Sequence, residues 1–171
     1  MPLENSNAEL AWIALGSNLG DSRQIIQRAF HELQQFSTHP LLISSLWQTT
    51  PVDCPPESPP FVNAVAGLEV LPNETPESLL EKLQSLEKEF GRQPKKVLNE
   101  ARPLDLDLIA FKHATRNTQH LILPHPRAQQ RRFVLEPLSE IAPNLILPGQ
   151  VKSVAQLLAE LPEDAGMSRI A

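Results

Sequence analysis

The chain has 171 residues, 41% of them apolar, which suits a single domain, 1–171, around one core. Its net charge of -5 argues against a general nucleic-acid binder, and a lone cysteine, Cys54, excludes a disulfide framework or a cysteine-cluster metal site. No apolar run reaches bilayer length and the N-terminal stretch lacks the basic start of a signal peptide, so a reducing, cytoplasmic setting away from membranes is expected.

Leu10 to Leu15 (LAWIAL) is short and apolar, as a buried first strand should be. GSNLG breaks it, and Asp21 followed by Gln24 has the spacing of a capping box that opens a helix with Ile25, Ile26, Ala29, Phe30 and Leu33 on its apolar face. Leu41 to Thr50 reads as a strand, residues 51–60 hold five prolines and form a stiff loop, and Phe61 to Leu71 reads as another strand. Thr75-Pro76-Glu77 starts a second helix whose Leu79, Leu83, Leu86 and Phe90 repeat at helical spacing until Gly91 ends it. Residues 92–102 are basic and irregular, and Leu104 to Phe111 (LDLDLIAF) is a strand. A short strand near His120 to Leu123, a loop at PHPRAQQRR, a segment from Phe133 and a short helix from Val154 to Leu161 follow. The order strand, helix, strand, strand, helix, strand is the split βαβ pattern of ferredoxin-like α+β folds. A βαββαβ core is expected, with a mainly antiparallel sheet, helices on one face, and long Pro-rich and basic loops. No long apolar stripe is left once the helices pack, so a monomer is expected.

Charge is unevenly spread. Residues 91–132 hold nine Lys or Arg against three acids, which points to a small anionic ligand or to an ordinary solvated basic loop. In Asp105-Leu106-Asp107 the two carboxylates share one face of a strand while Leu104, Leu106 and Leu108 take the other. Adjacent carboxylates repel, and magnesium, which favours one or two carboxylates plus phosphate oxygens and water, would relieve the conflict. The alternative is the polar outer face of an edge strand. Arg102 precedes this strand, and His125, Arg127, Arg131 and Arg132 follow it. Such groups suit phosphate oxygens. Any one arginine is otherwise a surface residue, above all Arg127 and Arg132. Gln84 and Glu87, neighbours beside the apolar stripe of the second helix, fit either an adenine or ribose edge or a solvated flank. Phe61 and Asn63, alternating on one strand, and Phe133 fit either a stacked flat heterocycle or core packing. GSNLGD lacks the full glycine spacing and the lysine of a P-loop and reads as a tight turn placed to line the pocket.

Together, IALGSNLGD, QTTPVD, FVNAVAGLE, LEKEFGR, ARPLDLDLIAF and LPHPRAQQRRFVLEPLSEIAPNLILP resemble the 6-hydroxymethyl-7,8-dihydropterin pyrophosphokinase family of folate synthesis, from about Trp12 to Pro148. The resemblance implies a ferredoxin-like fold and transfer of the β,γ-diphosphate of ATP to the pterin hydroxymethyl oxygen, releasing AMP. It implies that Asp105 and Asp107 hold two magnesium ions, with Arg102 beside them. Phe61 and Phe133 would sandwich the pterin, Asn63 would meet its polar edge, and Thr49 and Val52 would touch it. Gln84 and Glu87 would meet the nucleotide, and Arg102, His125 and Arg131 its phosphates. The 51–60 and 92–102 loops would be lids.

The chain departs from the family at Leu98-Asn99-Glu100-Ala101-Arg102, where many members have Arg-Trp-Gly-Pro-Arg, and at Pro94, His120, Ile122 and Pro126. Lys95 and Lys96 would supply charge near the altered loop. Two other classes stand beside an active enzyme: a ferredoxin-like module that binds the pterin without the chemistry, and a DxD nucleotide-sugar transferase.

Overall fold

Residues 7–49, 59–91, 103–164 and 166–170 are described by the structure, a computed structural model. The first strand, β1 (Ala11–Ser17), is buried along its whole length. A strand buried on both faces reads as a continuous apolar run rather than an alternating one. Asp21 accepts a hydrogen bond from Gln24 N–H and so caps α1 (Ser22–Leu33). Two short strands follow, β2 (Leu42–Ile43) and β3 (Leu46–Thr49), and both pair with β4 (Phe61–Leu68). The single strand expected over Leu41 to Thr50 is thus divided. At the break the Ser44 hydroxyl accepts from Val65 N–H at 2.9 Å, a place in the ladder that a backbone carbonyl would otherwise take. Helix α2 (Pro76–Glu89) opens with a reciprocal box, in which Thr75 Oγ1 accepts from Ser78 N–H and Ser78 Oγ from Thr75 N–H. Then come β5 (Asp105–Phe111), the small hairpin β6 (Arg116–Asn117) and β7 (Ile122–Leu123), α3 (Arg132–Ile141), α4 (Val154–Ala159) and β8 (Met167–Ile170). The segment from Phe133 is therefore helical, and β8 lacks any strand signal in the sequence.

The large sheet runs β5-β1-β4-β3-β8, every pair antiparallel, with β2 beside β4. Helices cover both of its faces, which corrects the expectation of one. Ile13 and Leu15 pack with Ile26, Ala29 and Leu33 of α1 and Leu79, Leu83 and Leu86 of α2. Trp12, Ala14 and Val65 point the other way, onto Val134, Leu135 and Leu138 of α3 and Val154 and Leu157 of α4. The physical reason is the apolarity of β1 on both sides, since each fully buried aliphatic contributes about 1.5–3 kcal/mol and neither face can be left to water. Trp12 lies across from Gly67 of β4, where an added Cβ would sit 2.6 Å from the indole ring. Between β1 and β5 the register shifts at Trp12/Ile13, so that Ile109 and Ala110 both join the α3 and α4 layer. No described helix is long and apolar enough to cross a membrane.

Candidate active site

Strand pairing lines up four residues across the sheet: Asp105 of β5, Gly16 of β1, Asn63 of β4 and Trp47 of β3. Asp107 falls two rows along on the same face, opposite Ala14, and Phe61 and Thr49 pair two rows away on the other side. With a strand spacing of about 4.8 Å, the backbones of Asp105 and Asn63 lie about 10 Å apart, separated only by a glycine. A Cβ on Gly16 would lie 3.5 Å from Asn63 Oδ1 and 3.7 Å from the Phe61 ring. The missing side chain therefore leaves a shallow floor between an amide and an aromatic on one side and a carboxylate pair on the other.

Asn63 is buried, and its Nδ2–H donates to Thr49 Oγ1 at 3.3 Å, which leaves its carbonyl oxygen directed over the Gly16 floor. Thr49, also buried, is thereby placed in the same constellation. Asp105 and Asp107 are partly buried on an edge strand. Among the described residues no group of three or more His, Cys, Asp or Glu could hold a metal ion. The donor set is thus a carboxylate pair, which suits a hard ion that keeps water and phosphate oxygens as its remaining ligands.

Just behind β5, His125 N–H donates to Ile109 O at 2.8 Å, which seats the imidazole beside the aspartates. Its Nδ1 accepts from Arg127 N–H at 3.2 Å, so the neutral ring carries its proton on Nε2. Burial, chiefly, and then the Arg131 and Arg127 charges push its pKa down, while Asp105 pulls it up. His125, Arg131, Arg127 and Asp105 are therefore one electrostatic group. The Arg131 guanidinium also lies 5.5 Å from the centroid of the Phe133 ring, and Phe133, at the start of α3, is 38% exposed instead of packed in the core. Arg132 donates to Pro162 O at 3.2 Å and Arg116 pairs with Glu77 at 2.8 Å, so these two members of the basic stretch have structural partners.

Glu87 and Gln84 part company. Gln84 is exposed on α2, whereas Glu87 is buried and its Oε2 accepts from Leu106 N–H at 2.8 Å, the amide between the two aspartates. Val52 and Arg102, and most of the Pro-rich and basic loops, lie outside the described residues. Three further residues bear on this arrangement, two of them in the GSNLGD segment whose turn was expected to line the pocket. The part Gly16 plays as the floor is legible only through its cross-strand neighbours. Asn18 of the GSN turn is buried and donates to Pro59 O at 3.4 Å, tying that turn to the approach to β4. Glu140, which resembles a solvated helix residue, binds β3 instead.

A strand row with a carboxylate toward one end, an amide and aromatic toward the other, and a basic cluster beside the carboxylates has the chemistry to suit a small ligand and an anion together. The profile of the 7,8-dihydro-6-hydroxymethylpterin-pyrophosphokinase family matches residues 12–143. The chain is 37% identical to the 2-amino-4-hydroxy-6-hydroxymethyldihydropteridine pyrophosphokinase of Pseudomonas aeruginosa over 160 residues, 93% of this chain and 95% of that one. It is also 37% identical to the Haemophilus influenzae enzyme of that name, covering 88% of this chain and 89% of the other. It matches the folic acid synthesis protein of Schizosaccharomyces pombe at 32% identity but spans only 21% of that longer protein. Among solved structures, HPPK-DHPS of Plasmodium falciparum shares the fold with a TM-score of 0.74 and 14% identity, over 94% of this chain and 48% of that one. The chain belongs to the 7,8-dihydro-6-hydroxymethylpterin-pyrophosphokinase family.

Proposed function

We propose that this chain, as one domain, transfers the β,γ-diphosphate of ATP to the hydroxymethyl group of 6-hydroxymethyl-7,8-dihydropterin, giving AMP and the pterin diphosphate, a step of folate biosynthesis. The observation that carries this reading is the row in which Asp105 and Asn63 flank Gly16. That spacing of about 10 Å lets a flat heterocycle lie on the floor with its hydroxymethyl arm turned toward the carboxylates. The β5-β1-β4-β3 order supports the ferredoxin-like reading of the core.

In this reading the pterin stacks between Phe61 and Phe133, and Asn63, fixed by Thr49, pairs with its polar edge. Val52 belongs to the same substrate set. Asp105 and Asp107 would hold two magnesium ions, and the carboxylate donor set fits them. Bound there, magnesium supplies positive charge to the phosphate oxygens and acidifies the attacking alcohol. Arg131 and Arg102 neutralise charge on the transferred and leaving phosphates. The Nδ1 lone pair of His125 is taken up by Arg127 N–H, so the ring donates a hydrogen bond from Nε2 to phosphate and has no free lone pair with which to serve as a base. Gln84 faces the nucleotide from α2. Glu87 was expected there too, and its carboxylate also holds β5 in place through Leu106 N–H.

The test is AMP release from ATP with and without 6-hydroxymethyl-7,8-dihydropterin, in magnesium and in excess chelator. Pterin-dependent AMP that disappears with chelator is the expected result. Pterin binding without AMP formation would leave only a binding module, and no pterin binding would overturn the reading.

A further inference from the structure

Glu140 sits in the last turn of α3, and its carboxylate reaches the sheet. Its Oε1 accepts from Ser45 N–H at 3.0 Å and from Trp47 Nε1–H at 3.3 Å, and its Oε2 accepts from the Ser45 hydroxyl. The Arg169 guanidinium of β8 lies 3.9 Å from Oε2 and stacks 6.0 Å from the Trp47 ring centroid. One carboxylate thus joins α3, β3 and β8. The Ser45 groups it takes up come from the break between β2 and β3, where the strand ladder does not use them.

Two features connect this clamp to the candidate pterin site. Trp47 is the cross-strand partner of Asn63, and Thr49, two residues along β3, is held by Asn63. On α3, Phe133 precedes Glu140 by seven residues, which puts both on one stripe of the helix about 10 Å apart. Pro137 lies between them, within the helix. It has no N–H to give to the Phe133 carbonyl, so the turn carrying Phe133 lacks one helical hydrogen bond and depends more on how the rest of α3 is anchored.

We infer that Glu140 is a positioning residue for the pterin: it fixes α3 against β3 and so sets the gap between Phe133 and the Phe61 and Asn63 floor. The inference rests on the pterin reading above. Misplacing a stacking ring by about 1 Å is costly where two rings must clasp one heterocycle.

The experiment uses the full chain with Glu140→Ala, Glu140→Gln and, as a control elsewhere, Ser153→Ala, which removes the cap of α4. Dissociation constants are measured separately for 6-hydroxymethylpterin, with a non-hydrolysable ATP analogue present, and for the analogue alone. The chain has two tryptophans, so two indole N–H resonances report whether the clamp is broken. Expected are a Trp47 indole shift and pterin binding weakened about tenfold or more in Glu140→Ala. Partial recovery is expected in Glu140→Gln, which keeps one acceptor oxygen. Analogue affinity should stay within about twofold, and Ser153→Ala should bind pterin like the parent. Unchanged pterin affinity despite a shifted indole, or equal loss of pterin and nucleotide affinity, would overturn the inference while leaving the function standing. A parent chain that binds no pterin overturns both.

Discussion

Replacing Gly16 with Ala separates the site from the fold. The new methyl would lie 3.5 Å from Asn63 Oδ1 and 3.7 Å from the Phe61 ring, ordinary contact distances that the apo chain accepts without moving. Folding stability should therefore stay within about 0.5 kcal/mol of the parent. A heterocycle flush on that floor meets the methyl as overpacking, which costs about 1–3 kcal/mol, or about 5- to 150-fold in Kd. The assay is calorimetric titration with 6-hydroxymethylpterin in the presence of a non-hydrolysable ATP analogue, paired with a thermal melt. Gly67→Ala is the complementary control: its Cβ would fall 2.6 Å from the Trp12 ring, so the melt should fall by several °C. Gly16→Ala chain that binds pterin as the parent does would refute the floor, and one that unfolds would refute the geometry of the row.

Asp105→Asn and Asp107→Asn should each cut AMP formation by about a hundredfold or more with the melt little changed, read by single-turnover assays at saturating substrates. Glu87→Ala should lower stability by about 1–3 kcal/mol, because it strands the buried Leu106 N–H; urea titration measures this, and Glu87→Gln, which retains an acceptor, should lose less. For His125 the folded pKa lies below the ordinary value of 6.5, mainly through burial. Its neutral form is favoured by the fold, so its contribution is present above that value and is lost as pH falls toward the folded pKa. Stability curves of His125→Asn against the parent should converge on acidification through this window, and parallel curves would sink the assignment.

Much of the local geometry of the candidate site is legible in the sequence. The alternation in LDLDL places Asp105 and Asp107 together because strand side chains alternate strictly, and the same rule joins Phe61 to Asn63. The caps at Asp21 and Thr75 and the stop at Gly91 are local chemistry and fall where the sequence puts them. The other features were hidden because they depend on pairing partners far along the chain. Gly16 matters only because β5 and β4 flank it, and Glu87 and Glu140, charged residues on helices, are indistinguishable in sequence from solvated ones.

What the sequence determined by itself is local: most of the longer strands and helices from β1 to β5, where they start, and which side chains share a face, all set by periodicities of two and 3.6. It also held, in the run LAWIAL, the sign that β1 would be covered on both sides, though not which helices would cover it. Tertiary structure decided that α1 and α2 take one face and α3 and α4 the other, that β8 closes onto β3, and that Asp105, Gly16, Asn63 and Trp47 form one row. Register between distant strands is settled by burying both faces of the sheet at once, a condition on the whole chain that no single segment contains.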